Sequence, residues 1–529
     1  MAIKRYVANA DNTITNAFDP NLKTRATGAN MGASDIVETF SVYARQATSS
    51  VELERILMKF PINSIVVDRN NGVLPASGSV NFILRLYSAP NSKTVPEDYA
   101  LIIEPVATEW QEGTGLDLET YKDLTKGNDG SNWVSASNTT AWTKAGGDYV
   151  TAANSAYPYR WYTQSFATGL EDLEVDITGL VELWMAGTLS NYGVGIHLTG
   201  TYEGYYDSAV NGTYTGYLQN TTGSTKSYYT KRFFGKGTQY FFLKPTIEAR
   251  WDSATRDDRG DFYYSSSLAP VNDNINTLYL YNYIRGALRD IPGASTGAIY
   301  VSLYSGSADN SEPSGSALQL PTILPRTFVD STNPYVVTGG WISTGIYTAS
   351  FALTSAAAPA TKIFDVWHDG TGYNFPGAGV EYVTSSLVPM HFSGSQTVVK
   401  PVYYLNITNM GELYRNDEVA RFNLFIRQKY WQPTVYTVAN TSVESTTIQS
   451  ASYRVYRLMD AYEAISYGTG TNLHTGLSYD ISGNYFDFDM SLLEPGYAYA
   501  LKFSFYDPSL NTWAEQGESF KFRVEDYEY

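Results

Sequence analysis

The feature that most constrains this chain is how often its apolar runs are interrupted. Clusters of Gly, Ser, Asn and Thr break them from one end to the other. Short apolar segments bounded by turn residues are strand material, and many of them in succession suit a β-sandwich or jelly roll. With 529 residues, the chain has room for several such domains, each with its own core.

The clearest strand lies between Ser79 and Tyr87. Val80, Phe82, Leu84 and Leu86 alternate with Asn81, Arg85 and Tyr87. This predicts one buried and one largely wet face, with a neighbouring loop covering Ile83. Arg55 to Phe60 reads as a mostly buried strand stopped by Pro61. Lys244 to Trp251 alternates like a closing strand, with Pro245 near its start. Thr178 to Ala186 predicts a short helix. Thr178 would cap it, Leu180, Val181 and Trp184 would form its apolar face, and Gly187 would stop it. Asp11-Asn12 and Asn30-Met31-Gly32 are expected to flank a polar loop in which Asx side chains bond nearby amides. Oxygen ligands of that kind also suit calcium, although no dense ladder of Asp residues accompanies them.

The stretch from Trp110 to Tyr192 organises the first half. It runs through Trp110-Gln111-Glu112-Gly113, Asn132-Trp133, Gly146-Gly147-Asp148 and Asp176-Ile177-Thr178 to Asn191-Tyr192-Gly193. A first domain therefore spans 1–251. Residues 252–270, charged at Arg256 to Asp261 and polar at Ser265-Ser266-Ser267, read as a linker. Within it, Arg259-Gly260-Asp261 spells an adhesion tripeptide, a match short enough to arise by chance.

A second β-sandwich is expected over 271–395, with strands at Leu278 to Ile284, Ala298 to Tyr304 and Gly345 to Leu353 and with Trp341 and Trp367 as core anchors. A third, immunoglobulin-like, is expected over 396–529. There Glu494-Pro495-Gly496 leads into alternating aromatics at Tyr497 and Tyr499, the pattern of a corner where a Tyr hydroxyl bonds back to upstream backbone. The fold class is all-β, an N-terminal jelly roll followed by two smaller sandwiches.

Several chemistries have no material to work with. Cysteine is absent, which removes disulfides, thiolate metal sites and Cys nucleophiles. The four histidines, His197, His368, His391 and His474, stand far apart. No Gly-x-Ser-x-Gly elbow or phosphate-binding Gly-x-x-x-x-Gly-Lys loop occurs. Glu109 and Glu112, either side of Trp110, are the best local carboxylate pair, but in an extended strand they point to opposite faces. The expectation is a non-enzymatic chain with no cofactor and no metal. A net charge of −17 disfavours nucleic acid as a partner. No apolar run is long enough to span a membrane, and the basic start, Lys4-Arg5, is not followed by the apolar core of an export leader.

The residues left to carry function are aromatic. Tyr157, Tyr159, Trp161 and Tyr162 form one dense group, and Tyr202, Tyr205, Tyr206 and Tyr214 form another. Such groups can stack sugar rings. With 45 Tyr in the chain, they also fit packing or subunit contact.

A family resemblance joins these pieces. Asp11-Asn12-Thr13-Ile14, the strands at Arg55 to Phe60 and Val80 to Leu86, Trp110 to Gly113, Asp176 to Thr178, Trp184, Asn191 to Gly193 and Lys244 to Ile247 resemble the DNRLRE domain. That family is a jelly-roll sandwich of cell-surface and phage proteins, some of which bind polysaccharide. The resemblance covers 1–251, with a longer insertion than usual at Tyr202 to Thr225. The wording of Thr120 to Thr125, Ser131 to Trp142 and Ser227 to Gln239 is similar to virion structural proteins of tailed phages that infect marine cyanobacteria. The resemblance implies a homo-oligomeric neck, tail or baseplate component, assembled in the host cytoplasm among other virion proteins. The alternative it implies is a carbohydrate-binding adhesin that meets a host-surface glycan.

Overall fold

The computed structural model describes residues 2–19, 21–43, 51–91, 95–116, 129–150, 161–200, 202–203, 205–206, 218–219, 228–294, 298–322, 333–356, 360–370, 379–392, 401–432, 435, 445–469, 472–508 and 510–526. The chain divides into two compact units, Ala2–Asp252 and Ser253–Tyr529.

The strands of the first unit are β1 (Ile3–Val7), β2 (Ala10–Thr15), β3 (Ile36–Tyr43), β4 (Val51–Lys59), β5 (Asn81–Leu86), β6 (Tyr99–Pro105), β7 (Tyr162–Phe166), β8 (Leu173–Asp176), β9 (Val194–Leu198), β10 (Tyr205–Tyr206), β11 (Leu218–Gln219), β12 (Tyr228–Phe234) and β13 (Thr246–Arg250). Its helices are α1 (Ile62–Asn70) and α2 (Thr178–Met185). One sheet runs β1-β13-β5-β8; the other runs β12-β3-β4-β9-β6-β7, with β2 also on β4. The arrangement is a jelly roll. If β1, β4, β5, β6, β7, β8, β9 and β13 are taken as successive strands, the first sheet holds the first, eighth, third and sixth, and the second holds the second, seventh, fourth and fifth. Strands β2, β3 and β12 widen the second sheet.

The apolar alternation of β5 produces the core. Phe82, Leu84 and Leu86 are fully buried between the sheets together with Ile56, Met58, Leu101, Ile103, Phe166 and Ile247. Both faces of strand β4 are covered, so apolar residues stand side by side at Ile56-Leu57-Met58. Ile56 and Met58 enter this core, while Leu53 and Leu57 pack beneath Trp110, Trp133 and Trp142 on the other side. In α2, Leu180, Val181 and Trp184 face inward as the spacing predicts. The helix start differs from expectation. Thr178 donates its hydroxyl to Asp176 Oδ1 and accepts the amide of Phe82, so it ties the helix to β5 and does not cap it.

Residues 10–15, expected to flank a polar loop as Asx turn residues, form a paired strand. Asn12, fully buried, bonds Ser131 and the amide of Met31, so its polar groups are satisfied inside the fold. The outer face of β5 is not wet either. Arg85, Arg5 and Arg250 converge on Glu248, which is 2% exposed.

In the second unit, the first sandwich follows the order Asn276–Tyr281, Ile346–Phe351, Val337–Ser343, Ile299–Gly306, Ile363–His368, Glu381–Leu387. Strand Val337–Ser343 pairs with Ile299–Gly306 through residues 337–339, then with Ile346–Phe351 through residues 340–343. It thus passes from one half of the sandwich to the other, as corner strands do. Gly339 permits the crossing, because a Cβ there would stand 2.5 Å from Thr348 O.

The second sandwich has one sheet of Tyr403–Ile407, Val419–Gln428, Gly483–Asp489 and Ser478–Asp480. Its facing sheet holds Leu413–Arg415, Phe520–Glu525, Ala498–Asp507, Ala451–Arg457 and Glu463–Ile465, with Thr512–Glu515 also paired to Ala498–Asp507. Its core is aromatic, with Phe486 stacked on Tyr453 at 4.3 Å and edge-on to Phe503 at 6.0 Å. The expected tyrosine corner is present: Tyr499 donates its hydroxyl to Glu494 O at 2.7 Å.

Much of 252–270, expected to be a linker, is packed structure. Tyr479 and Asp257 pair along their backbones with Thr255 bonded beside them, and Phe262 and Tyr264 pair with Met390. Phe262 is fully buried. The adhesion tripeptide is not displayed, because Arg259 is locked in a two-pronged ion pair with fully buried Asp365.

Candidate functional site

The two predicted aromatic groups fare differently. Tyr157, Tyr159 and Tyr214 lie outside the described residues. Trp161 and Tyr162 are neighbours in sequence but not on one surface. Tyr162 opens β7 and turns inward, where its hydroxyl accepts the amide of Leu180 at the start of α2 and its ring packs on the core. Trp161 is 50% exposed. The two-residue period of extended chain separates them, so they do not form a shared platform. Tyr202 is also structural. It sits edge-on against Tyr229 at 5.2 Å and packs on the jelly-roll core. Tyr205 and Tyr206 form a short ladder with Leu218 and Gln219 inside the long insertion.

The Trp110 to Tyr192 stretch closes on itself. Trp110 donates its indole N–H to Tyr192 O at 2.8 Å, and Asn191 bonds Phe60 O. The glycine after Glu112 is there for close approach, since a Cβ on Gly113 would fall 2.0 Å from Asn30 Oδ1. Between Trp133 and Tyr149 runs Arg55, with its guanidinium 5.5 Å and 5.6 Å from the two ring centres. Arg55 grips both oxygens of Glu203 and bonds Gly146 O. Burial works against ionising Glu203, but the adjacent Arg55 and His197 overcome it and hold its carboxyl below the usual range. His197 places Nε2 3.1 Å from Glu104 and Nδ1 2.8 Å from Leu198 O. That carbonyl can only accept, so Nδ1 carries a proton. This group combines an imidazole, a guanidinium and two carboxylates, and every member is spent on another member.

Glu112 and Asp11 are engaged in the same way. Glu112 accepts the amide of Asp11 and pairs with Lys236 at 2.9 Å, while Asp11 Oδ2 accepts the amide of Lys236. Among the described residues, no group of three His, Asp or Glu side chains gathers to hold a metal. Asp11 Oδ1 is buried without a partner, and burial raises its carboxyl to about 6. Glu54 is the extreme case, fully buried in β4 with neither oxygen bonded. Burial, and then repulsion from Glu38, push it well above the carboxylate range, against the pull of Arg232.

Among the histidines, His368 is fully buried and neutral by its bonding. Gly370 donates to its Nδ1, and its Nε2 lies 3.1 Å from the Ser302 hydroxyl. Burial lowers it to about 4. No described helix is long and apolar enough to cross a membrane.

No family model and no curated protein matches the chain. Among solved structures, the titin domains Z1Z2 in complex with telethonin align at 12% identity over 44% of this chain and 90% of that one, with a TM-score of 0.13. The N-terminal Ig1-2 module of the Drosophila receptor protein tyrosine phosphatase DLAR aligns at 8% identity over 48% of this chain and 91% of that one, at 0.14. The native conformation of E. coli alpha-2-macroglobulin aligns at 9% identity over 94% of this chain but 27% of its own, also at 0.14. Scores of this size carry no argument, and the fold assignment rests on the strand pairing itself.

Of the two tryptophans expected as core anchors of the second sandwich, one is on the surface. Trp367 is fully buried, with its indole N–H on Asp365, but Trp341 is 40% exposed and donates its own to Asp290 Oδ1. Also exposed are Ile342, at 47%, and the hairpin residues Tyr283 and Ile284, at 59% and 49%. The strand expected to continue from Leu278 to Ile284 ends at Tyr281, and Tyr283-Ile284 pair instead with Ala287-Leu288 across the turn Arg285-Gly286.

Proposed function

We propose that the chain is a non-enzymatic structural protein of a tailed-phage particle, an oligomeric component of the neck, tail or baseplate that meets other virion proteins through its sandwich surfaces. The observation that carries this reading is how the chain uses its reactive side chains. Arg55, Glu104, His197, Glu203, Glu248, Arg259 and Asp365 are all consumed in holding sandwiches together. What the surface offers instead is aromatic and aliphatic: Trp161, Tyr283, Ile284 and Trp341. Exposed rings rimmed by polar groups are contact chemistry. The resemblance of residues 1–251 to a phage and cell-surface jelly roll supports the same reading.

The direct test is mass spectrometry of particles purified by density from a lysate of the phage that encodes the chain. Its peptides should follow the particle band at a constant ratio to the other structural proteins. Recovery only from host envelope or medium would end the virion reading.

One observation favours a second reading, attachment to host glycan: the half-exposed ring of Trp161 at the mouth of β7. That reading requires Trp161→Ala to abolish sugar binding by the intact chain without changing its melting.

A further inference from the structure

The immunoglobulin-like sandwich has one strand edge that nothing in its sequence guards. Sheet edges carry unpaired N–H and C=O groups, and folds blunt them with short strands, charges or cover. Leu413–Arg415 and Glu463–Ile465, the edges of one sheet, have three residues each and carry a charge at Arg415 and Glu463. Ser478–Asp480, an edge of the other sheet, is covered, because Tyr479 pairs along its backbone with Thr255 and Asp257. The remaining edge, Tyr403–Ile407, has five residues, with no charge and no proline. No described strand pairs with its outer side.

The register decides which groups this edge offers. Lys429 donates its amide to Val402 O, and Thr408 donates to Asn423 O. Val402, Tyr404, Asn406 and Thr408 therefore turn their backbone groups toward Val419–Gln428. Tyr403, Leu405 and Ile407 turn theirs to the open side.

The two faces beside the edge differ in chemistry. On the outer face, Tyr404 is 45% exposed, and the cations of Arg427 and Lys429 each stand 5.7 Å from its ring centre. Arg415, Arg421, Arg454, Arg457 and Lys502 each hold a carboxylate. Among the described residues, Arg427 and Lys429 hold none, and Arg427 Nε is buried without a partner. On the inner face, a pocket of about 260 Å³ opens beside Tyr403. Tyr403 and Phe505 meet edge-on there at 5.6 Å, and Tyr506 and Pro508 extend the apolar wall. The carboxylates of this pocket, Asp507 and Glu515, already have partners. An added strand would alternate its side chains between the same two faces. Those beside Tyr404 would meet two unspent cations, which favours Asp and Glu. Those beside Tyr403 would meet the apolar wall.

We propose that Tyr403–Ile407 accepts an antiparallel strand from a partner protein, an extended segment of alternating acidic and apolar residues. Its carboxylates lie over Arg427 and Lys429, and one of its apolar side chains enters the pocket between Tyr403 and Phe505. Backbone pairing gives such a contact its affinity, and the alternate side chains give it specificity. It rests on the assembly reading above and adds the chemistry of the neighbour.

The test is fluorescence anisotropy of a labelled synthetic peptide, Glu-Ile-Glu-Phe-Glu-Val-Glu, titrated with the full-length protein. Binding should saturate and should weaken as salt rises. The same peptide with Lys in place of Glu should bind at least roughly 10-fold more weakly. N-methylation at its Ile, Phe and Val removes the donors that face the edge and should weaken binding by roughly 30-fold or more. Lys429→Glu alters an exposed side chain and should cost roughly 10-fold. Gly517→Trp fills the pocket, since a Cβ on this lining residue meets nothing within 4 Å, and should block binding. Both variants should keep the wild-type melting curve. No saturable binding, or an N-methylated peptide that binds as tightly as its parent, overturns the contact. Self-association of the protein that the peptide competes away would make the occupant a second copy and overturn the acidic partner. Peptide binding by a chain absent from particles sinks the virion reading and leaves this contact standing. A chain present in particles that binds no peptide does the reverse.

Discussion

The jelly roll and the last sandwich solve the same problem, two β-layers over a core, with different side chains. In Ala2–Asp252 the cement includes buried charge: Glu248 under three arginines, Arg55 on Glu203, and Lys231, 1% exposed, donating to Ser88, Gly169 O and Glu171 O. In the immunoglobulin-like sandwich of the other unit the cement is aromatic, and the ion pairs sit outside. Arg421 and Asp487 pair at 2.7 Å with side chains 55% and 34% exposed. A charge pair inside the fold makes each partner indispensable, because removing one strands the other in low dielectric. The same pair in water is nearly dispensable.

That contrast can be broken most directly at its strongest point. Glu248→Ala leaves Arg5, Arg85 and Arg250 around an empty position and should cost the first unit about 3–5 kcal/mol. Arg421→Ala should cost the second unit at most about 1 kcal/mol. Urea unfolding with one spectroscopic probe per unit reads both, and similar costs would erase the distinction.

The next effect concerns pH, and its sign sharpens the comparison. Asp11 has its folded carboxyl raised to about 6 by burial. Its stabilising contribution is therefore complete below the unfolded value near 4 and is lost as pH rises through about 6. Asp11→Asn keeps an acceptor for the Lys236 amide and should be the more stable protein above pH 6, by up to roughly 3 kcal/mol. Glu248 behaves oppositely. Burial resists its charge, but Arg5, Arg85 and Arg250 hold it far below the usual range. Its contribution is present above the unfolded value and lost only as acid protonates it in the fold. Melting temperatures of wild type and Asp11→Asn between pH 4 and 8 test this, and parallel curves would contradict it.

The smallest effect belongs to the corner of the last sandwich. Tyr499→Phe removes one bond to Glu494 O and should cost about 0.5–1.5 kcal/mol, seen as a small loss in the second unit's transition alone.

Local pattern made part of this legible in the sequence. The alternation at Phe82, Leu84 and Leu86, the inward face of α2 and the corner before Tyr499 are each written within about ten residues. The polar partnerships are not. Arg5 and Glu248 stand 243 positions apart, and Arg259 and Asp365 stand 106 apart. Nothing in either neighbourhood announces the other. The outer face of β5 was therefore expected to be largely wet, and residues 252–270 were expected to be a linker. Trp341 shows a different limit. A tryptophan in an alternating strand reads as a core anchor, but its strand is the one that crosses between the halves of its sandwich, and the crossing turns the ring outward. Of the aromatic candidates, Tyr162 and Tyr202 were hidden by period and packing that composition does not record.

The central claim, that this chain is a building part of a phage particle, is tested most directly by immunogold electron microscopy of intact particles with antibody against the full-length chain. The account predicts label at one fixed place on the neck, tail or baseplate, repeated from particle to particle. Unlabelled particles, with label instead on the host surface, would contradict it.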